Sequence, residues 1–240
     1  DGRVTGTLAV SLNMDASDWF LLAGTVGLGA VAAVFHLSRK SGGSGVPQPE
    51  PGGGAAVAVA LAVEDGQSLI AQLELDHLVS GCRDRMGFDS AIFEKDCLPL
   101  LQKTAEWTQR LPASESHHHA QPGGLFTHML ESAFHALRFR QGYLLPVGAA
   151  PEEIPAKKHR WTYAVFLAAL IHDIGRPLAD LNVRLRRDGK PCGKWEPLAG
   201  SLIDQGVTHY TVDFEVKRDY DLHKRLPIIL FQRVVPGILA

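Results

Sequence analysis

Four of the eleven histidines of this 240-residue chain fall close together, as His117, His118, His119 and His128. They belong to the run QRLPASESHHHAQPGGLFTH, Gln109 to His128, in which Pro122-Gly123-Gly124 marks a turn before an amphipathic segment. Imidazoles at that density can ligate a metal, relay protons or contact phosphate. A second stretch, FLAALIHDIGRP from Phe166 to Pro177, places His172 and Asp173 at the end of an apolar helix. Two polar side chains are costly there unless something binds them.

Adjacent residues on a helix point about 100° apart, so His172 and Asp173 share one ion only if it lies between their directions, near the helix end. A histidine from another helix completes an N/N/O set suited to Mn, Fe or Zn. His128 is the natural third ligand, one turn into its own helix and 44 residues upstream of His172. The plain alternative is a satisfied buried histidine, with Asp173 paired to Arg176. Three consecutive histidines cannot all face one ion, so one or two of His117, His118 and His119 are expected at the site as catalytic groups, with the rest supporting them. Gly123 and Gly124 open a helix where freed backbone N–H groups could approach a phosphate, or they form an ordinary tight turn.

His128 followed by His172-Asp173 and Gly-Arg-Pro resembles the H…HD pattern of the HD superfamily of metal-dependent phosphohydrolases. More narrowly, Gln109-x-x-Pro112-Ala113-Ser114-Glu115, then His117-His118-His119, then Gly123-Gly124-Leu125 resembles the HD-domain relaxases of integrative and conjugative elements, the MobH class of TraI-like proteins. The resemblance runs from about Asp65 to the end and includes Trp195-Glu196-Pro197 and Tyr210. It implies an all-α metal-binding domain that cleaves a phosphodiester, in this class the DNA strand nicked at a transfer origin. One or two divalent ions (Mn, Fe, Zn or Mg) are the implied cofactor. The HD pattern also calls for a final Asp, for which Asp180, Asp204, Asp213, Asp219 and Asp221 are candidates.

The elements that must position these residues are helices. Asp65 can cap a run through Val79 that ends at Gly81, Asp89 can cap the next, and Pro99 breaks or restarts it before Leu100–Leu111. Gly124–Gln141 is the best-patterned helix: Phe126, Leu130, Phe134 and Leu137 recur at three- and four-residue steps, with His128, Glu131 and His135 on the polar face. Trp161–Ile174 is apolar nearly all round, so it is a central helix, stopped by Gly175-Arg176-Pro177. Pro197–Gln205 predicts a short helix, Tyr210–Lys217 a strand or hairpin edge, and Tyr220–Val235 a helix kinked at Pro227. Ala55–Val63 is apolar without a period that separates strand from helix. The fold class expected is mostly α, an HD-type helical metallohydrolase domain over 57–240 with one N-terminal transmembrane helix.

That helix is Trp19–Leu37, free of acidic, Lys and Arg side chains and long enough for about 28 Å, close to a bilayer's hydrocarbon core. Asp15 and Asp18 precede it and Arg39-Lys40 follow, so the positive-inside rule puts the domain in the cytoplasm on a single-pass inner-membrane anchor. Residues 1–18 are expected to be unstructured, with the true start at Met14, and 39–56 form a Gly/Pro linker. The chain is expected to continue past Ala240.

Formal net charge is −2, so no global basic field draws the chain to nucleic acid. A local patch could do so: Arg176, Arg184, Arg186, Arg187, Lys190 and Lys194 cluster after the His-Asp helix. Cys82, Cys97 and Cys192 form no C-x-x-C, which argues against a disulfide framework and a thiolate zinc site. No G-x-x-x-x-G-K-[ST] loop is present, so an ATPase within these residues is not expected. The expected partners are DNA, single-stranded or nicked at a transfer origin, the membrane, and proteins of a conjugation apparatus. Two rival functions stand beside the relaxase: an HD phosphohydrolase of nucleotides or cyclic dinucleotides, and a non-catalytic DNA-docking module. A covalent mechanism through Tyr210 or Tyr220 lacks a paired-tyrosine signature, and metal-activated water is the better reading.

Overall fold

In the computed structural model of the chain, which describes residues 60–215 and 226–235, the two longest helices are those that the histidines require. They are α4 (Gly124–Arg140) and α5 (Glu153–Ile171), packed antiparallel. Helix α4 buries Leu125, Phe126, Met129, Leu130, Ala133 and Leu137, the apolar face its period predicts. Helix α5 buries almost every residue from Thr162 to Ile171, as an all-round apolar helix must. Its start lies earlier than Trp161, because Pro155 is tolerated in a first turn where its missing N–H has no helical partner.

Three shorter helices support the pair: α1 (Gly66–Gln72), α2 (Asp76–Met86) and α3 (Leu98–Thr108). Asp65 caps α1 by accepting from the Ser68 backbone N–H and hydroxyl at 2.9 and 2.7 Å. The single run expected from Asp65 to Val79 is broken at Glu74, whose φ of 57° is left-handed. Nor does Gly81 end a helix. It lies inside α2, where a Cβ would meet the Phe134 ring at 2.6 Å, and the left-handed terminator is Gly87. Asp89 caps a single turn, Ser90–Ile92, that passes through five π-helical residues, Phe93–Cys97, into α3 with Pro99 in its first turn.

A short α6 (Arg176–Ala179) follows the His-Asp pair directly, so Pro177 restarts a helix where a stop was expected. Beyond it the chain forms an antiparallel sheet of β1 (Leu61–Ala62), β2 (Leu181–Arg187), β3 (Lys190–Lys194) and β4 (His209–Phe214), in the order β1-β4-β2-β3. The strand anticipated at Tyr210–Lys217 is β4, and the basic loop is in fact the β2–β3 hairpin. Leu181, Val183 and Leu185 turn inward from β2, while β3 is exposed at the edge, where Pro191 costs no ladder bond. The sheet packs on α3 through Trp107 and Trp195, whose ring centroids lie 6.1 Å apart. The short helix expected over Pro197–Gln205 is a 3₁₀ turn, Pro197–Ala199, followed by further turns in which Asp204 accepts from Ser201. Helix α7 (Pro227–Val234) begins at the expected proline.

The expected unstructured segment, span and linker of residues 1–56, and Asp219, Tyr220, Asp221 and His223, lie outside the described residues. Among the described residues no helix is long and apolar enough to cross a membrane.

Candidate metal centre

The first turn of α4 and the last of α5 meet at one end of the antiparallel pair, and this is where three ligand atoms converge. His128 Nε2 and His172 Nε2 are 3.3 Å apart, and each lies 3.6 Å from Asp173 Oδ2. His172 caps α5 in helical geometry, and the tighter turn after it (Ile174 N–H to Ile171 O, Arg176 N–H to Asp173 O) folds the Asp173 carboxylate back toward the ring.

The three atoms form a nearly equilateral triangle. A tetrahedral ion with ligands at about 2.0–2.2 Å needs them roughly 3.3–3.6 Å apart, so the spacing fits. The tautomer fits as well. His172 Nδ1 lies 2.8 Å from the Ala169 carbonyl, which can only accept, so Nδ1 carries a proton and Nε2 is the nitrogen left to ligate. Burial, and secondarily the charge of His172, pushes the His128 imidazole down to about 4, so it is an unprotonated donor at neutral pH. Burial alone would raise the Asp173 carboxyl, but the charges of His172 and Arg176, the Arg176 hydrogen bond and His128 outweigh it and hold it at about 2. Two imidazoles and one carboxylate form a donor set that a divalent first-row metal accepts.

Arg176 also makes the pair expected on the plain structural reading. Its Nε donates to Asp173 Oδ2 at 2.7 Å, and its Nη1 is shared between the Ala113 carbonyl at 2.9 Å and Asp180 Oδ2 at 3.3 Å. Nε and Nη1 of the guanidinium are thereby committed to the site's frame.

Of the triple histidine, only His119 reaches the centre. Its ring centroid is 5.3 Å from that of His128, and its Nε2 lies 3.2 Å from Glu131 Oε2, one turn along α4. That bond holds the Glu131 carboxyl below its ordinary value. The backbone of His119 is left-handed at φ 61°, fixed by the Ala113 N–H donating to its carbonyl at 3.0 Å. His117 and His118 are exposed, and their backbones are tied to the Ser114 hydroxyl. One of the three thus stands beside His128, and the other two lie exposed.

The glycines serve packing. A Cβ on Gly124 would meet the His119 carbonyl oxygen at 2.0 Å, and one on Gly123, at φ 82°, would meet Leu73 at 2.4 Å. The Gly124 N–H already donates to Gln121 O and the Leu125 N–H to Leu111 O, so these two groups are engaged within the loop.

The final Asp of the HD pattern is not found among the described candidates. Asp180 faces Arg176, Asp204 caps Ser201, and Asp213 pairs with Arg184 on the sheet. Tyr210 is buried, and its hydroxyl accepts from the Arg110 N–H at 2.9 Å, which removes it as a nucleophile. His209 is exposed at the start of β4. Arg184, Arg186, Arg187 and Lys190 all lie on the β2–β3 hairpin. Arg187 is spent on the Gln205 and Gly206 carbonyls and Arg186 on Gly189, while Arg184 is largely exposed beside Asp213. Sequence reasoning missed Glu131 as the partner of His119, although its i+3 spacing from His128 on one helix face was a usable signal.

The model of the TraI_2 family, described as "Putative helicase", matches residues 60–239. No curated protein matches the chain.

Proposed function

The chain belongs to the TraI_2 family, and from that premise, together with the His128–His172–Asp173 triangle, we propose that it is a metal-dependent DNA nickase. It would cleave one strand at a transfer origin as an HD-type relaxase of the MobH class. The observation that carries the reading is the meeting of His128 with His172-Asp173, the two halves of the H…HD pattern, at ligand spacing on two packed helices. A divalent ion held there supplies Lewis acidity toward a phosphoryl oxygen and a water activated for attack. The 240 residues contain no G-x-x-x-x-G-K-[ST] run, so the proposed activity is strand cleavage and not NTP-driven unwinding.

In this reading His128, His172 and Asp173 bind the cofactor and Arg176 holds Asp173 in place. His119, oriented by Glu131, stands at the rim as the group that exchanges a proton with the leaving oxygen. His117 and His118 face outward toward the incoming strand. Arg184 and Lys190 on the β2–β3 hairpin meet phosphates by charge. The apolar run Trp19–Leu37 would tether the domain to the inner membrane on its cytoplasmic side, next to a conjugation apparatus.

The test is elemental analysis of the chain purified without an affinity His-tag, wild type against His172→Ala/Asp173→Ala, followed by cleavage assays. Stoichiometric Mn, Fe or Zn lost in the double variant, with nicking of single-stranded origin DNA by the wild type alone, is the expected result. Hydrolysis of nucleotides or cyclic dinucleotides with intact DNA would move the reading to a small-molecule HD phosphohydrolase. Absence of metal after reconstitution would reduce the chain to a docking module.

A further inference from the structure

At the end of the α4–α5 pair opposite the histidines, the last turn of α4 and the connection after it turn apolar side chains into solvent. Phe139 is 44% exposed, Tyr143 63%, Leu144 72% and Val147 87%. Single exposed apolar residues are ordinary, but a group on one protruding loop marks a contact surface. The loop is built, not slack: Arg140 donates to the Tyr143 and Lys158 carbonyls, Gly142 N–H to Phe139 O, and Ala149 N–H to Pro146 O.

The base of this tip is cationic. Arg138 is exposed in the last turn of α4, and Lys157, Lys158 and Arg160 lie in the opening turns of α5, against Glu152 and Glu153. An apolar tip collared by lysine and arginine suits a bilayer with anionic headgroups, where the rings and aliphatic chains enter the interface and the cations meet phosphates. Tyrosine favours that depth. We infer that Tyr143, Leu144 and Val147 dock into the surface of an anionic membrane, with Arg138, Lys157 and Lys158 on its headgroups. The expected span at Trp19–Leu37 would bring such a surface within reach. Helix α5 spans about 28 Å from the loop to His172, so docking by the loop leaves the histidine cluster at the far end of the helix.

Because the full chain could bind vesicles through Trp19–Leu37 alone, the readout is the loop itself. Leu144→Cys in a Cys192→Ser background carries an environment-sensitive nitrobenzoxadiazole label. Cys82 and Cys97 do not compete, since both are buried and burial pushes their thiols up to about 12. On phosphatidylserine-rich vesicles the label is expected to shift to the blue and be quenched by spin-labelled lipid. The same label on Cys192 of the exposed strand β3 is expected to stay in water. Lys157→Ala and Lys158→Ala each weaken docking about fivefold. Tyr143→Ser/Val147→Ser abolishes the shift with an unchanged circular dichroism melt. Water-like emission at position 144 on those vesicles overturns the proposal, as does an equal shift on purely neutral lipid. A shift that needs only higher protein concentration, without vesicles, also overturns it and makes the patch an interface between copies.

Discussion

Replacing Arg176 by methionine keeps most of the aliphatic stem and removes the cation from a carboxylate that is 3% exposed. Taking away one partner of a buried ion pair costs about 3–5 kcal/mol, because the remaining charge is left uncompensated. Arg176 is itself 22% exposed, which favours the lower end. The lost bond to the Ala113 carbonyl adds about 1 kcal/mol. For a domain of this size the sum lowers Tm by on the order of 10 °C in metal-free protein. A divalent cation beside Asp173 replaces the missing charge and no longer faces the guanidinium, so saturating metal stabilises the variant more than the wild type. The assay is thermal unfolding of both proteins with chelator and with saturating Mn or Zn. The expected pattern is a large gap in chelator that narrows with metal. A gap of the same size in both conditions would refute the placement of the cation beside Asp173, and no gap in chelator would refute the energetic reading of the Arg176 pair.

Gly124→Ala drives a methyl into the His119 backbone and destabilises by about 3 kcal/mol. Gly142→Ala, whose nearest neighbour would be Phe139 O at 3.5 Å, serves as the near-neutral control in the same denaturant titration. Acid weakens the metal-free fold: His128 drops from 6.5 unfolded to about 4 folded, so below 6.5 the unfolded chain takes a proton that the folded chain refuses. That stability is complete above pH 6.5 and about 3 kcal/mol is lost as pH falls to 4, a slope that His128→Leu should flatten in denaturant titrations. Asp173 adds a further loss only between 3.8 and about 2. On the DNA reading, Arg184→Ala and Lys190→Ala each reduce the slope of log affinity against log salt for single-stranded DNA by about 0.7, with metal content unchanged.

The helical half of the fold was legible because its signals are periodic. Phe126, Leu130 and Leu137 mark the buried face of α4, the continuous apolar run marks α5 as central, and the costly His-Asp pair at its end marks the site. The sheet was less legible for a reason visible in β2. Leu181, Val183 and Leu185 do alternate, but Arg184, Arg186 and Arg187 between and after them drew the eye to charge instead of period. Asp188-Gly189, left-handed at φ 50° and 77°, is the hairpin turn that should have joined the two strands. Strand β1 has two residues, too few for any pattern, and exists because β4 offers a free edge. Glycine's two uses cannot be told apart from sequence: whether Gly124 frees an N–H or admits the His119 carbonyl depends on a contact across the loop.

Gln109 and strand β1 together set a load path through the molecule. The Gln109 side chain accepts from the Glu64 N–H at 3.0 Å and donates to the Glu64 carbonyl at 2.8 Å, so an amide does for this residue what a neighbouring strand would do. Arg110 clamps the Glu64 carboxylate beside it. Tension entering at residue 60 peels β1 from the rim of the sheet one rung at a time and then bears on Gln109, whose backbone is already left-handed at φ 46°. Gln109 is also the root of the loop that carries His119, so a pull on residue 60 is shared between α1, whose cap follows Glu64 directly, and the rim of the metal centre.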